Sequence, residues 1–143
     1  MRFMMLMIPR VYQPGAQDDV SKTGMPPADA VERMMKYNDE LQKAGALIAL
    51  DGLHPLSKGA RVSFAGGKPQ VTDGPFAEAK EVLGGYWMIQ VKSKEEAVEW
   101  ARRVPADVGD VVELRQVQEM SDFTDDVREI VENSEVGKAQ RKG

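Results

Sequence analysis

An α+β domain, one antiparallel sheet with helices packed on it, is predicted by three observations. Phe3 to Ile8 is an unbroken apolar run closed by Pro9, and Tyr86 to Val91 is an aromatic and β-branched run, so both read as buried strands. Apolar residues between Ala28 and Ala44 recur at helical spacing. Ser93 followed by Glu96 starts a second helix ahead of another strand. The 143 residues fit a single core, since domains run to roughly 100 to 200 residues.

Each element follows from local chemistry. The stretch from Pro9 to Pro27 holds Pro14-Gly15, Gly24 and Pro26-Pro27 and is predicted to be a long surface loop. In the first helix the stripe is Val31, Met34, Met35, Leu41 and Ala44, and Gly45 is the stop. Ala46 to Leu53 is a second apolar strand. Arg61 to Ala65 and Lys68 to Thr72 flank Gly66-Gly67 and predict a hairpin with a two-glycine turn. The second helix runs from the Ser93–Glu96 capping box to Val104, with Ala97, Trp100, Ala101 and Val104 inward, and Pro105 ends it. Val111 to Val117 is the last strand, Val112 and Leu114 on one face and Glu113 and Arg115 on the other. Strand, helix, strand, hairpin, strand, helix, strand is the split βαβ order of a ferredoxin-like domain, here with an extra β-hairpin.

Two helices cover one face of such a sheet, yet the strands at Phe3 to Ile8 and Tyr86 to Val91 are apolar at odd and even positions alike. A homodimer packed sheet against sheet is therefore expected. From Ser121 onward Phe123, Val127, Ile130 and Val131 sit at near-helical spacing among six acids, which predicts an appended amphipathic helix capped by Ser121 or Asp122. Val136 to Gly143 reads as a frayed basic tail. The chain thus divides into a domain over 1–120 and a C-terminal extension over 121–143.

Composition narrows the function. With 19 basic and 23 acidic residues the chain has no overall positive field, so neither nucleic acid nor a membrane surface is an expected partner. The apolar run at Phe3 is too short for a signal or a membrane span, and a cytoplasmic location is expected. Zero cysteines and one histidine exclude thiolate chemistry, disulfides and Cys- or His-rich metal sites. Asp51, Asp73 and Glu78 lack the spacing of a metal-ligand signature, and there is no phosphate loop, dinucleotide fingerprint or nucleophile elbow. No cofactor or metal is expected. The nine methionines read as adaptable core filling.

The most informative stretch is Val71-Thr72-Asp73-Gly74-Pro75-Phe76, continuing through Ala77 to Glu81 and Leu83-Gly84-Gly85-Tyr86. Together with the Met-rich first strand, Tyr37-Asn38-Asp39-Glu40-Leu41, Ala44-Gly45-Ala46-Leu47, Gly52-Leu53-His54-Pro55, Glu96-Ala97 and Trp100-Ala101, it resembles the YCII-related proteins of the DGPF-domain type. The first loop and the tail after Met120 lie outside the match. The resemblance implies a ferredoxin-like fold forming a dimeric α/β barrel, a cleft between sheet and helices, and genes often found beside extracytoplasmic-function sigma factors. It supplies no settled reaction. A better-studied branch places an acid–base His on the first helix, where this chain has Tyr37, Asn38 and Asp39.

Candidate site residues follow from their chemistry. A carboxylate beside an imidazole makes a proton-transfer unit near neutral pH, which selects His54 with Asp73 as the catalytic pair. Each also has a plain structural role open to it, His54 as a solvated residue before Pro55 and Asp73 as an Asx-turn former. Asn38 falls on the face of the first helix shared by 31, 34, 35, 41 and 42, where a polar group needs a partner, so it bonds either backbone or ligand. Asp51 on the second strand, Glu78 at the rim and Tyr86, alternating with Trp87, complete the ligand-binding set. Two functions stand: a cofactor-independent enzyme using Asp/His acid–base chemistry, and a non-catalytic metabolite-binding or regulatory dimer whose C-terminal helix or first loop meets a protein partner.

Overall fold

The computed structural model describes residues 1–13, 26–74 and 81–142. Its main sheet has four antiparallel strands in the order β2-β5-β1-β6, formed by β1 (Arg2–Ile8), β2 (Leu47–Gly52), β5 (Gly85–Gln90) and β6 (Val111–Gln116). A separate ribbon pairs β3 (Ala60–Ser63) with β4 (Gln70–Asp73). Helices α1 (Ala28–Lys43) and α2 (Lys94–Arg102) cover one sheet face, and α3 (Asp125–Asn133) and α4 (Glu135–Gln140) follow β6. The α+β class is as the sequence predicts.

Alternation along the strands sets the two faces. Phe3 and Met5 of β1 and Trp87 and Ile89 of β5 point at the helices and are buried, joining Tyr37 and Leu41 of α1 and Ala97 and Trp100 of α2 in one core. Register builds it in rows: Leu50, Trp87, Met5 and Leu114 face one another across four strands, and so do Leu47, Ile89, Phe3 and Gln116. Leu47 and Leu50 are three apart and would point to opposite faces of a regular strand. The pairing slips between Leu47 and Ala49, a bulge that returns both to the helix side and leaves Ile48 exposed. On the opposite face Met4, Leu6, Tyr86 and Met88 are half-buried.

Several boundaries differ from expectation for identifiable reasons. Tyr37 takes the inward position on α1, and Val31 and Met35 are exposed, because the 3.6-residue period rotates them off the stripe held by Met34, Asn38 and Leu41. At α2 the Ser93 hydroxyl accepts the Glu96 amide proton at 3.1 Å, but the Glu96 carboxylate reaches the Lys92 N–H rather than that of Ser93. The β3–β4 connection spans residues 64–69 instead of turning on two glycines, and Gly67 sits at φ +78°.

The C-terminal segment is two helices rather than one with a frayed tail. Ser134 ends α3 and caps α4, its hydroxyl accepting from the Gly137 N–H at 3.0 Å. The reversal depends on Gly137: a Cβ there would lie 2.1 Å from the Val131 carbonyl oxygen. Neither Ser121 nor Asp122 caps α3, which begins after Thr124. Asp122 instead accepts from the Glu119 N–H at 2.7 Å, in a short 3-10 turn.

The core and the C-terminal helices should respond differently to truncation. Ile89→Ala removes a fully buried side chain and should lower the unfolding free energy by about 2–5 kcal/mol, whereas Ile130→Ala, at a position 72% exposed, should change it by less than about 0.5 kcal/mol. Urea unfolding of the two variants checks this.

Candidate functional site

The site begins with a polar residue in an apolar place. Asn38 lies between Met34 and Leu41 on the inward face of α1 and is 7% exposed. Beneath it the Trp87 indole N–H donates to Asn38 Oδ1 at 2.8 Å, tying helix to sheet. An indole N–H can only donate, so the atom facing it must be the amide oxygen, and the Asn38 NH₂ is left pointing elsewhere. It has no hydrogen-bond partner among the described residues.

Next to this pair the helix-side row of the sheet runs Gly52, Gly85, Met7, Val112. Two of those four positions carry no side chain. Both line a cleft of about 550 Å³ beside α1, within the usual range for small-molecule sites, and the place a Cβ would take on Gly52 is open space. Met34, Met35 and Val31 of α1, Leu50, Trp87 and Met7 of the sheet, and Pro9, Val11 and Tyr12 give it mainly apolar walls. Gly84 lets Pro9 and Tyr12 close one side: a Cβ there would meet Pro9 Cγ at 2.4 Å and Tyr12 Cδ2 at 3.1 Å.

Side-chain clamps hold the mouth. The Gln13 amide donates to the carbonyls of Pro9 (2.6 Å) and Val82 (3.1 Å) and accepts from the Val82 N–H (2.9 Å), completing both backbone valences of residue 82. The Asp110 carboxylate accepts the N–H groups of Arg10 and Asp107, each at 2.8 Å. Arg33 and Asp107 also border the cleft, one charge of each sign, and form no ion pair among the described residues.

Three of the expected ligand residues, Asn38, Asp51 and Tyr86, border the cleft. Tyr86 donates its hydroxyl to Asp51 Oδ2 at 2.8 Å, and alternation along β5 puts this pair on the sheet face opposite Trp87. The bond to Asp51 raises the Tyr86 pKa above the ordinary phenol value, because the neutral hydroxyl donates to a carboxylate. Burial raises that of Tyr37, whose hydroxyl donates to the Trp100 carbonyl at 2.7 Å. Tyr37 stands edge-on to both Trp87 and Trp100.

His54 and Asp73 lie outside the cleft lining, exposed, with no side-chain hydrogen bond or ion pair among the described residues. Their segments do meet: Gly74 packs so closely on the Leu56 backbone that a Cβ would lie 1.7 Å from the Leu56 oxygen, and the Gly74 N–H donates to the Gly59 carbonyl at 2.9 Å. That is the structural reason for glycine after Asp73. Glu78 lies outside the described residues. Among them there is no cluster of acidic or histidine side chains that could hold a metal, and no helix is long and apolar enough to cross a membrane. Sequence reasoning missed Gln13 and Asp110, whose roles depend on partners far along the chain. Gly52 and Gly85, glycines at facing strand ends, were a usable signal for the cleft.

Residues 1–121, which include every element of the main sheet and the whole cleft, match the YCII-related domain. The chain belongs to the YCII-related family. An uncharacterised protein of Rhizobium meliloti (strain 1021) is similar to it, 35% identical over 89 residues that cover 59% of this chain and 72% of the relative. In this YCII-related chain α3 and α4 lie beyond the matched region.

The two raised phenols, Tyr37 through burial and Tyr86 through its bond to Asp51, give a pH test. Both raised tyrosines favour the neutral form in the folded state, so the stability they contribute is complete below about pH 10, where unfolded tyrosine is neutral, and is lost as pH rises beyond it. Tyr37→Phe should cost about 1 kcal/mol at pH 7, through the lost bond to Trp100, and should flatten the alkaline decline. Urea unfolding at pH 7, 9 and 11 measures both.

Proposed function

We propose that this YCII-related chain, of the DGPF type, is a cytoplasmic homodimer that binds a small molecule in the cleft between α1 and the sheet. The observation that carries this reading is a buried amide, on Asn38, with unspent donors at the wall of an apolar cleft of about 550 Å³. The strand order β2-β5-β1-β6 with two helices on one face supports a ferredoxin-like domain. Half-buried Met4, Leu6, Tyr86 and Met88 on the other face support pairing into a dimeric α/β barrel. The geometry favours a binding or regulatory role, linked through its family resemblance to sigma-factor signalling, because the cleft lining lacks the His54–Asp73 pair. The C-terminal helices are a candidate surface for a protein partner, with Ile130 and Val136 exposed.

A second reading, cofactor-independent acid–base catalysis by His54 and Asp73, draws its support from the Gly74–Leu56 contact, which brings their segments together. The two readings separate experimentally. Binding alone predicts that His54→Ala leaves ligand affinity unchanged, whereas catalysis predicts loss of turnover with the fold intact. Metabolite pools assayed by mass spectrometry with wild-type and His54→Ala protein give the answer. For the dimer, wild-type protein should sediment as two chains and Met88→Arg, at the middle of the open sheet face, as one. A wild-type monomer at tens of micromolar would remove the barrel from the account.

A further inference from the structure

The cleft also says what kind of molecule it takes. This inference rests on the reading of the cleft as a ligand site. We propose that the ligand is a small, neutral, largely apolar carbonyl compound whose oxygen accepts a hydrogen bond from the Asn38 side-chain NH₂.

The argument starts from the amide. Its oxygen is spent on Trp87, so what it offers a ligand is a donor and nothing else. Among the described residues the one side-chain nitrogen or oxygen both sealed from solvent and without a partner is Arg128 Nε. The Asn38 nitrogen, also without a partner, must therefore open on free space, and the space that Asn38 borders is the cleft. A ligand group meeting it has to be an acceptor.

Charge excludes most acceptors. A carboxylate or phosphate drawn under α1 would lose its hydration among Met34, Leu50, Met7 and Trp87, and the one cation that the described lining holds, Arg33, is outnumbered there by acids. Acids near the cleft are already committed, Asp51 to Tyr86 and Asp110 to two backbone N–H groups. The charged residues of the lining are Arg33 against Asp51, Asp107 and Asp110, a balance that further disfavours an anion. What remains is an uncharged acceptor on an apolar body. A ketone, ester, lactone or enone has that chemistry, and the Trp87 ring and methionines suit a flat body.

Three probes share one aromatic body and differ in the head group: 4-fluoroacetophenone, 4-fluoroethylbenzene and 4-fluorobenzoate. Their affinities for the full chain are read by fluorine NMR. The ketone should bind about 3- to 10-fold more tightly than the hydrocarbon, the worth of one neutral hydrogen bond, and the benzoate should bind most weakly. Asn38→Asp keeps an oxygen for Trp87 and replaces the donor by an acceptor, so it should abolish the ketone's advantage while hydrocarbon binding persists. Should that variant not fold, the wild-type ranking decides, with the Asn38 NH₂ resonances, which must shift on adding the ketone and stay unmoved by the hydrocarbon. Equal affinity of ketone and hydrocarbon, or benzoate binding first, overturns the proposal and leaves the cleft a ligand site. Failure of all three to bind at millimolar concentration overturns both.

Discussion

A sheet covered on one face by two helices must satisfy every polar atom it buries beneath them, and here that constraint converges on the bond between Trp87 and Asn38. The indole fills the centre of the core, but its N–H would be orphaned under α1 without an acceptor, at a cost of about 1–3 kcal/mol. One helix position can supply that acceptor. Placing an asparagine there sets the rotation of α1 about its axis, turns Tyr37 toward the Trp100 carbonyl and sends Val31 and Met35 outward to the cleft and solvent. The second helix is then held from above, with Arg103 stacked 4.3 Å from the Trp100 ring centroid and paired with Glu40 of α1.

The cavity beside that bond comes from what is missing. In the core rows each strand contributes a side chain, and the packing is dense. One row further along, glycine occupies the facing positions of β2 and β5, and backbone-only positions cannot fill the volume under a helix. Met7 and Val112 close the far half of that row, so the void is confined to the end of the sheet where the first connection and the loop before β6 arrive. Cleft and core are thus one design read at two successive rows.

Much of this was legible in the sequence, and the reasons differ by element. Strands β1 and β5 and helix α2 announce themselves because each is short, strongly patterned and bounded by Pro9, Ser93 or Pro105. Asn38 was legible because helical periodicity puts it among apolar residues. The inward turn of Tyr37 was not, since Met35 is the more apolar choice and the register of α1 is settled by Trp87, a residue 49 positions away. Likewise the helical character of Glu135–Gln140 rests on Gly137 approaching Val131, a backbone contact that composition argues against. The proposed His54–Asp73 pair shows the limit of chemical reasoning without geometry: suitable residue types on segments that meet, with neither side chain in the cleft lining.

The Gln13 amide bears on how the molecule assembles. It joins residue 13 to residue 82 by imitating the edge of a neighbouring strand, and the loop so closed is 69 residues long. Closing a loop of that length carries a large entropic cost that is recovered only after β1 and β5 have paired. The wall made by Pro9 to Gln13 therefore belongs to the last part of the chain to settle and the first to open. Its amide protons should exchange with solvent through local opening, well before those of the Trp87 row, which are released only by global unfolding. A brief, local release of that wall would leave the sheet and its two helices in place.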